Sequence, residues 1–176
     1  MEKNNDSPKV EKAHILVIRL SAMGDVAMTI PVLRVFRAQY PDVKLTVLTR
    51  KFFEPLFSDI TNLDIHHADV NGKHKGVLGL NRLAKELIAL YITAVADLHH
   101  VLKTTHQRYA DVFYKLGFPV DLTTHVFPEK KSLTPNIISI TQNSTKKWLG
   151  IAPFAQYESK TYPLELMITV IETLDS

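Results

Sequence analysis

Residues 14–49 read HILVIRLSAMGDVAMTIPVLRVFRAQYPDVKLTVLT, and this stretch decides the fold. His14 to Leu20 is a short, nearly continuous apolar run rich in branched residues. Such a run suits a strand of a parallel sheet that is buried on both faces. Ser21-Ala22-Met23-Gly24-Asp25 then forms a turn. Val26, Ile30, Leu33, Phe36 and Tyr40 follow at helical spacing, with Pro31 early enough to be tolerated. Tyr40-Pro41-Asp42 ends the helix, and Lys44 to Thr49 is a second strand. The opening is β-α-β.

Outward from there the alternation continues. Asp64 to Ala68 and Thr93 to Leu98 read as strands, and Leu80 to Tyr91 and Gln107 to Leu116 as helices, the last stopped by Gly117. The first of these helices is expected to bury Leu80, Leu83, Ala84, Leu87, Ile88 and Tyr91. Pro128, Pro135 and the polar run Thr141 to Lys147 make a linker. A new unit follows, with a strand at Trp148 to Ala152 and a helix from Pro163 to Leu174. Alternating strands and helices imply an α/β fold, a mostly parallel sheet with helices on both faces. Ligands of such sheets bind at the carboxyl ends of the strands, near helix amino termini.

Composition narrows the class. With 45% apolar and 22% charged residues, the 176-residue chain is an ordinary globular protein. There is no cysteine, which excludes disulfides and thiolate metal sites. The longest apolar run, Leu87 to Ala96, is about half of the ~20 residues that a membrane-spanning helix needs. No signal peptide is recognisable at the amino terminus, so the cytoplasm is the expected compartment. The net charge of +3 is too small to argue for nucleic acid. Residues 66–108 nevertheless hold six Lys/Arg against three Asp/Glu, and six of the eight histidines. That stretch is either a solvated connection or a surface facing something anionic, such as a phosphorylated glycolipid or a headgroup layer. The histidines match no metal-ligand spacing, and no metal site is expected.

Two loops have the position for chemistry. The first, Ser21 to Asp25, lacks the glycines of a dinucleotide or phosphate loop. It presents instead a carboxylate, Asp25, at the mouth of a helix. Asp25 is either an N-cap, with Gly24 making the turn, or a general base held ionised by the helix terminus. Asn also caps helices well, so Asp25→Asn is expected to preserve the fold. In the second loop, Ser159, Lys160 and Thr161 stand just before a helix. Free backbone N–H groups there make either an anion site or an ordinary capped loop.

Together these loops resemble glycosyltransferase family 9, the ADP-heptose–lipopolysaccharide heptosyltransferases. ILVIRLSAMGDVAMTIPVLRVFRAQYPDVKLTVLT is similar to the family's strand, S-x-x-G-D-V turn and T-x-P helix. AVADLHHVL is similar to its D-L-H strand end, and WLGIAPFAQYESKTYPLELM to the start of its second domain. Phe154 stands where the family usually has glycine, and Tyr162 where it has tryptophan. The resemblance implies the amino-terminal half of a GT-B enzyme with the first βα unit of its partner domain. The organisation expected is a tail over 1–12 and a Rossmann-like acceptor-side domain over 13–135. A linker over 136–147 and an incomplete nucleotide-sugar-binding domain over 148–176 follow.

The reaction implied is an inverting, metal-independent transfer of heptose from ADP-heptose to the lipopolysaccharide inner core. Asp25 would be the base, with Ser21 and Gly24 in the acceptor-side loop. Lys160, with Ser159 and Thr161, would hold the donor phosphates. Partners implied are the sugar nucleotide and the lipid A core, with peripheral contact to the cytoplasmic face of the inner membrane and no nucleic acid. The alternative is a non-catalytic α/β binding module that retains the acceptor-side fold.

Overall fold

A computed structural model describes residues 13–99, 106–141 and 161–175. Contacts divide the chain into two units that part between Glu129 and Lys130. In the first, strands β1 (His14–Ile18), β2 (Lys44–Thr49), β3 (Leu63–His67) and β4 (Ala94–Asp97) form one parallel sheet in the order β3-β2-β1-β4. Ile15 pairs with Leu45 on one side and with Ala94 on the other, so β1 is central. Its near-complete burial accounts for the unbroken apolar run.

The turn after β1 opens into two helices rather than one. Helix α1 (Met23–Ala27) stops before α2 (Ile30–Gln39) begins. Pro31 is the cause: it has no N–H, and in a continuous helix its ring would press on the carbonyl of Ala27. Thr29 fills the break, its hydroxyl donating to the Val26 carbonyl at 2.7 Å. Asp25 is therefore not the N-cap. That position belongs to Ala22, and Asp25 lies three residues inside α1. Gly24 is likewise helical, and a Cβ added there would meet nothing within 4 Å, so the turn does not require it.

Helices α2 and α4 (His106–Lys115) cover one face of the sheet. Ile15, Val17, Leu45 and Val47 meet Leu33, Phe36, Tyr109 and Phe113 there. Phe36 stacks at 4.6 Å on Phe113, and Tyr40 sets its ring edge-on to Phe118 at 5.4 Å. Gly117, at φ +86°, ends α4, and the Phe118 N–H bonds back to the Phe113 carbonyl at 2.9 Å.

On the opposite face Leu16 and Leu48 pack against Leu83 of α3 (Gly76–Ile88). This helix begins earlier than its apolar periodicity suggests, and it buries another face. Gly79 and Leu83 are buried and Leu87 half-buried, whereas Leu80, Ala84, Ile88 and Tyr91 are exposed. Tyr91 lies beyond the helix, at φ +54°.

The second unit contains α5 (Pro135–Thr141), inside the stretch expected as a linker, and α6 (Leu164–Asp175). The strand expected at Trp148 to Ala152 lies outside the described residues.

Candidate active site at the carboxyl end of the sheet

The site is built around Arg19, the residue that ends the apolar run of β1. Its side chain is 5% exposed. A buried guanidinium needs several acceptors. One Nη donates to the carbonyls of Leu98 and His99, just beyond β4, and the other pairs with the Asp25 carboxylate. Its backbone carbonyl accepts from the Thr49 hydroxyl at 2.8 Å. The ends of β1, β2 and β4 and the first βα loop are thus tied through one residue.

Asp25 faces the opening of this arrangement with its side chain 39% exposed. Oδ2 meets Arg19 and also accepts the Ala22 N–H at 3.3 Å, the returning half of a capping box. The Tyr109 hydroxyl, from α4, donates to the Asp25 carbonyl at 3.3 Å and fixes α1 from below. Arg19 sets a buried positive charge directly against that carboxylate. Ser21 and Gly24 beside it are exposed, and the open space over Gly24 leaves the approach clear. Sequence reasoning missed Arg19. The available signal was a lone arginine interrupting the apolar run, one residue past the buried strand.

A second concavity, of about 410 Å³, lies at the carboxyl ends of β2 and β3. Arg50, Lys51, Phe52, His67 and Lys73 line it. Asp69 also borders it, but its carboxylate accepts the N–H groups of Gly72 and Lys73, each at 3.0 Å. Arg50, Lys51 and Lys73 outnumber it, so the lining is cationic in balance. The loop carrying Lys73 is clasped to α3 by Glu86. That carboxylate meets His66 Nε2 at 3.0 Å, His74 Nε2 at 3.2 Å and Lys73 Nζ at 3.3 Å. His74 Nδ1 accepts the Asp69 N–H at 3.0 Å, so its proton is on Nε2 and points at Glu86. The hydrogen bond from His74, ahead of those from Lys73 and His66, holds Glu86 down at about 2.

Three of the clustered histidines therefore have structural partners, His67 through Glu54 at 3.1 Å. Among the described residues no three His, Asp or Glu side chains converge on a metal-sized site, and no helix is long and apolar enough to cross a membrane. Of the donor-side residues, Ser159 and Lys160 lie outside the described residues. Thr161 is half-buried, three positions before α6.

No protein-family model matches the chain, and no curated protein matches it. Among solved structures, it is similar to a glycosyltransferase family 9 protein from Veillonella parvula DSM 2008, with a TM-score of 0.69 and 18% sequence identity. The match covers 92% of this chain and 59% of that one. At this identity the likeness is one of fold: a mixed α/β chain with a four-stranded parallel sheet, spanning 59% of the length of a glycosyltransferase of Rossmann-like architecture.

Proposed function

We propose that this chain is the acceptor-side portion of a family 9 glycosyltransferase, with Asp25 as the base of an inverting transfer. The observation that carries the reading is the placement of Asp25. A half-exposed carboxylate beside a buried arginine stands at the carboxyl end of the central strand, where parallel sheets bind ligands. The fold likeness to a glycosyltransferase supports it.

In this mechanism the Asp25 carboxylate accepts the proton of an acceptor hydroxyl as its oxygen attacks the anomeric carbon. The bond from that carbon to the nucleotide diphosphate breaks on the opposite face, and the diphosphate leaves with the electron pair. Lys160, with Ser159 and Thr161, would compensate the leaving charge, and no metal is assigned a step. The donor proposed is ADP-heptose, and the acceptor is the inner core of lipopolysaccharide. That acceptor places the protein at the cytoplasmic face of the inner membrane. The concavity lined by Arg50, Lys51 and Lys73 would take the anionic part of the acceptor.

Calorimetry on the 176-residue chain tests this. Deacylated inner-core oligosaccharide should bind saturably, and more weakly to Arg50→Ala and Lys73→Ala. ADP-heptose should show no saturable binding tighter than about millimolar, since the chain spans only 59% of the length of the glycosyltransferase to which it is similar. Failure to bind the acceptor, or micromolar donor binding, overturns the assignment.

A further inference from the structure

A helix packed on a sheet ordinarily turns its polar residues to water. Helix α3 turns apolar ones there as well. Val77, Leu80, Ala84 and Ile88 recur at i, i+3, i+7 and i+11 along one exposed row, and Tyr91 extends it just past the helix end. Val77, Ile88 and Tyr91 are each at least 75% exposed. The sheet is contacted instead through Leu83 and Leu87. The neighbouring row, Lys75, Leu78, Arg82 and Lys85, is also exposed throughout. The helix's one acid, Glu86, is half-buried and engaged by His66, His74 and Lys73. The two exposed rows therefore carry apolar side chains and positive charge, with no acid among them.

An apolar row bordered by cations complements a surface that is anionic outside and apolar beneath, which is the boundary of an anionic bilayer. A second copy of the chain is the poorer occupant. Symmetric pairing through α3 would set Arg82, the middle residue of the helix, against its own counterpart. At 13 residues α3 is too short to span a membrane, so contact lies in the plane of the headgroups. We propose that this face of α3 docks on an anionic lipid bilayer. Val77, Leu80, Ile88 and Tyr91 enter the boundary between headgroups and acyl chains, and Lys75, Arg82 and Lys85 meet lipid phosphates. The proposal goes beyond the transfer reading and requires neither Asp25 nor a sugar acceptor.

Flotation of the intact 176-residue chain with vesicles of phosphatidylglycerol and phosphatidylethanolamine tests it, against vesicles of phosphatidylcholine alone. Neither vesicle carries a sugar acceptor, so the outcome is separate from that of the transfer reading. Binding to the anionic vesicles should be at least about tenfold stronger than to the neutral ones, and should weaken with added salt. Arg82→Gln with Lys85→Gln removes two cations and should weaken it at least about tenfold. Leu80→Glu with Ile88→Glu should abolish it while leaving the unfolding midpoint near wild type, since both positions are exposed. Leu166→Glu, on the exposed apolar surface of α6, should leave binding unchanged. No binding to anionic vesicles overturns the proposal, and so does equal binding to neutral ones. Binding that survives both α3 variants, or that Leu166→Glu removes, assigns the contact elsewhere and overturns it too. A dimer that Leu80→Glu with Ile88→Glu dissociates, in a chain that does not float with vesicles, gives this face to a second copy instead.

Discussion

Asp25 and Arg19 form a pair in which each residue alters what the other's substitution means. Read from the sequence, Asp25→Asn conserves a helix cap and costs no stability. With Arg19 buried beneath it, the same change removes the counter-charge of a guanidinium otherwise bonded to the neutral carbonyls of Leu98 and His99. Because the Asp25 side chain is more than a third exposed, water screens part of the loss, and about 1–2 kcal/mol is expected. Urea unfolding of the Asn variant checks this; a midpoint equal to wild type would mean that Arg19 needs no anion. In an enzyme with a complete second domain, the same variant should lose at least ~100-fold in kcat if Asp25 is the base. Two other residues give the chain an acid sensitivity with separable windows. His14 is buried, which lowers its pKa below 6.5 despite the bond from Nδ1 to the Leu90 carbonyl. Below pH 6.5 the unfolded chain therefore takes up a proton that the folded one resists, and stability falls with pH. Glu86 has the opposite relation to its partners: held at about 2 instead of 4.5, it contributes fully above pH 4.5, and that contribution is lost as pH falls toward 2. Unfolding midpoints measured across this range should show a first decline that His14→Gln removes and a second that Glu86→Gln flattens. A single decline untouched by either variant would show that other groups control acid stability.

At the scale of elements, α3 shows how a correct helix can have the wrong face assigned to it. Leu80, Leu83, Ala84, Leu87, Ile88 and Tyr91 satisfy a helical period, yet α3 turns only Leu83 and Leu87 of that set toward the sheet. The helix carries apolar residues on more than one side, so periodicity alone does not choose between them. Packing of Gly79 against the loop does: a Cβ there would come within 2.3 Å of the His74 backbone, which fixes the side that faces inward. Leu83→Ala should consequently cost about 2–3 kcal/mol, the lower range for a buried leucine in a small cluster. Leu80→Ala, at 60% exposure, should stay within about 0.5 kcal/mol. The reverse order in thermal or urea unfolding would restore the face read from periodicity. Strands β1 and β2 were more legible than α3 for a physical reason. A strand buried on both faces needs apolar residues at every position, which leaves no face to choose. The break between α1 and α2 was also present in the sequence, as Pro31, but its consequence for Asp25 depended on counting helical turns back from it. The Arg19 pair was less legible, because a strand's sequence does not reveal which later loops supply acceptors at its end.

For the whole molecule, the distribution of buried side chains predicts where stability lies. Every buried apolar residue among those described falls between Ile15 and Phe118, on the two faces of the four-stranded sheet. The second unit is the converse: Ile137, Ile138 and Ile140 of α5 and Leu166, Ile168, Val170 and Ile171 of α6 are all at least 40% exposed. Helices bearing such residues gain little from burial, and short ones are marginal in isolation. Contiguous exposed apolar surface also favours association. A chain ending at Glu129 should therefore fold cooperatively, with a melting temperature close to that of the 176-residue chain. It should also sediment as a monomer at concentrations where the longer chain associates. Calorimetric melting and sedimentation velocity on the two chains test both halves of this argument. A large drop in melting temperature on truncation would show that the second unit contributes to the core of the first, and equal self-association would place the sticky surface within residues 1–129.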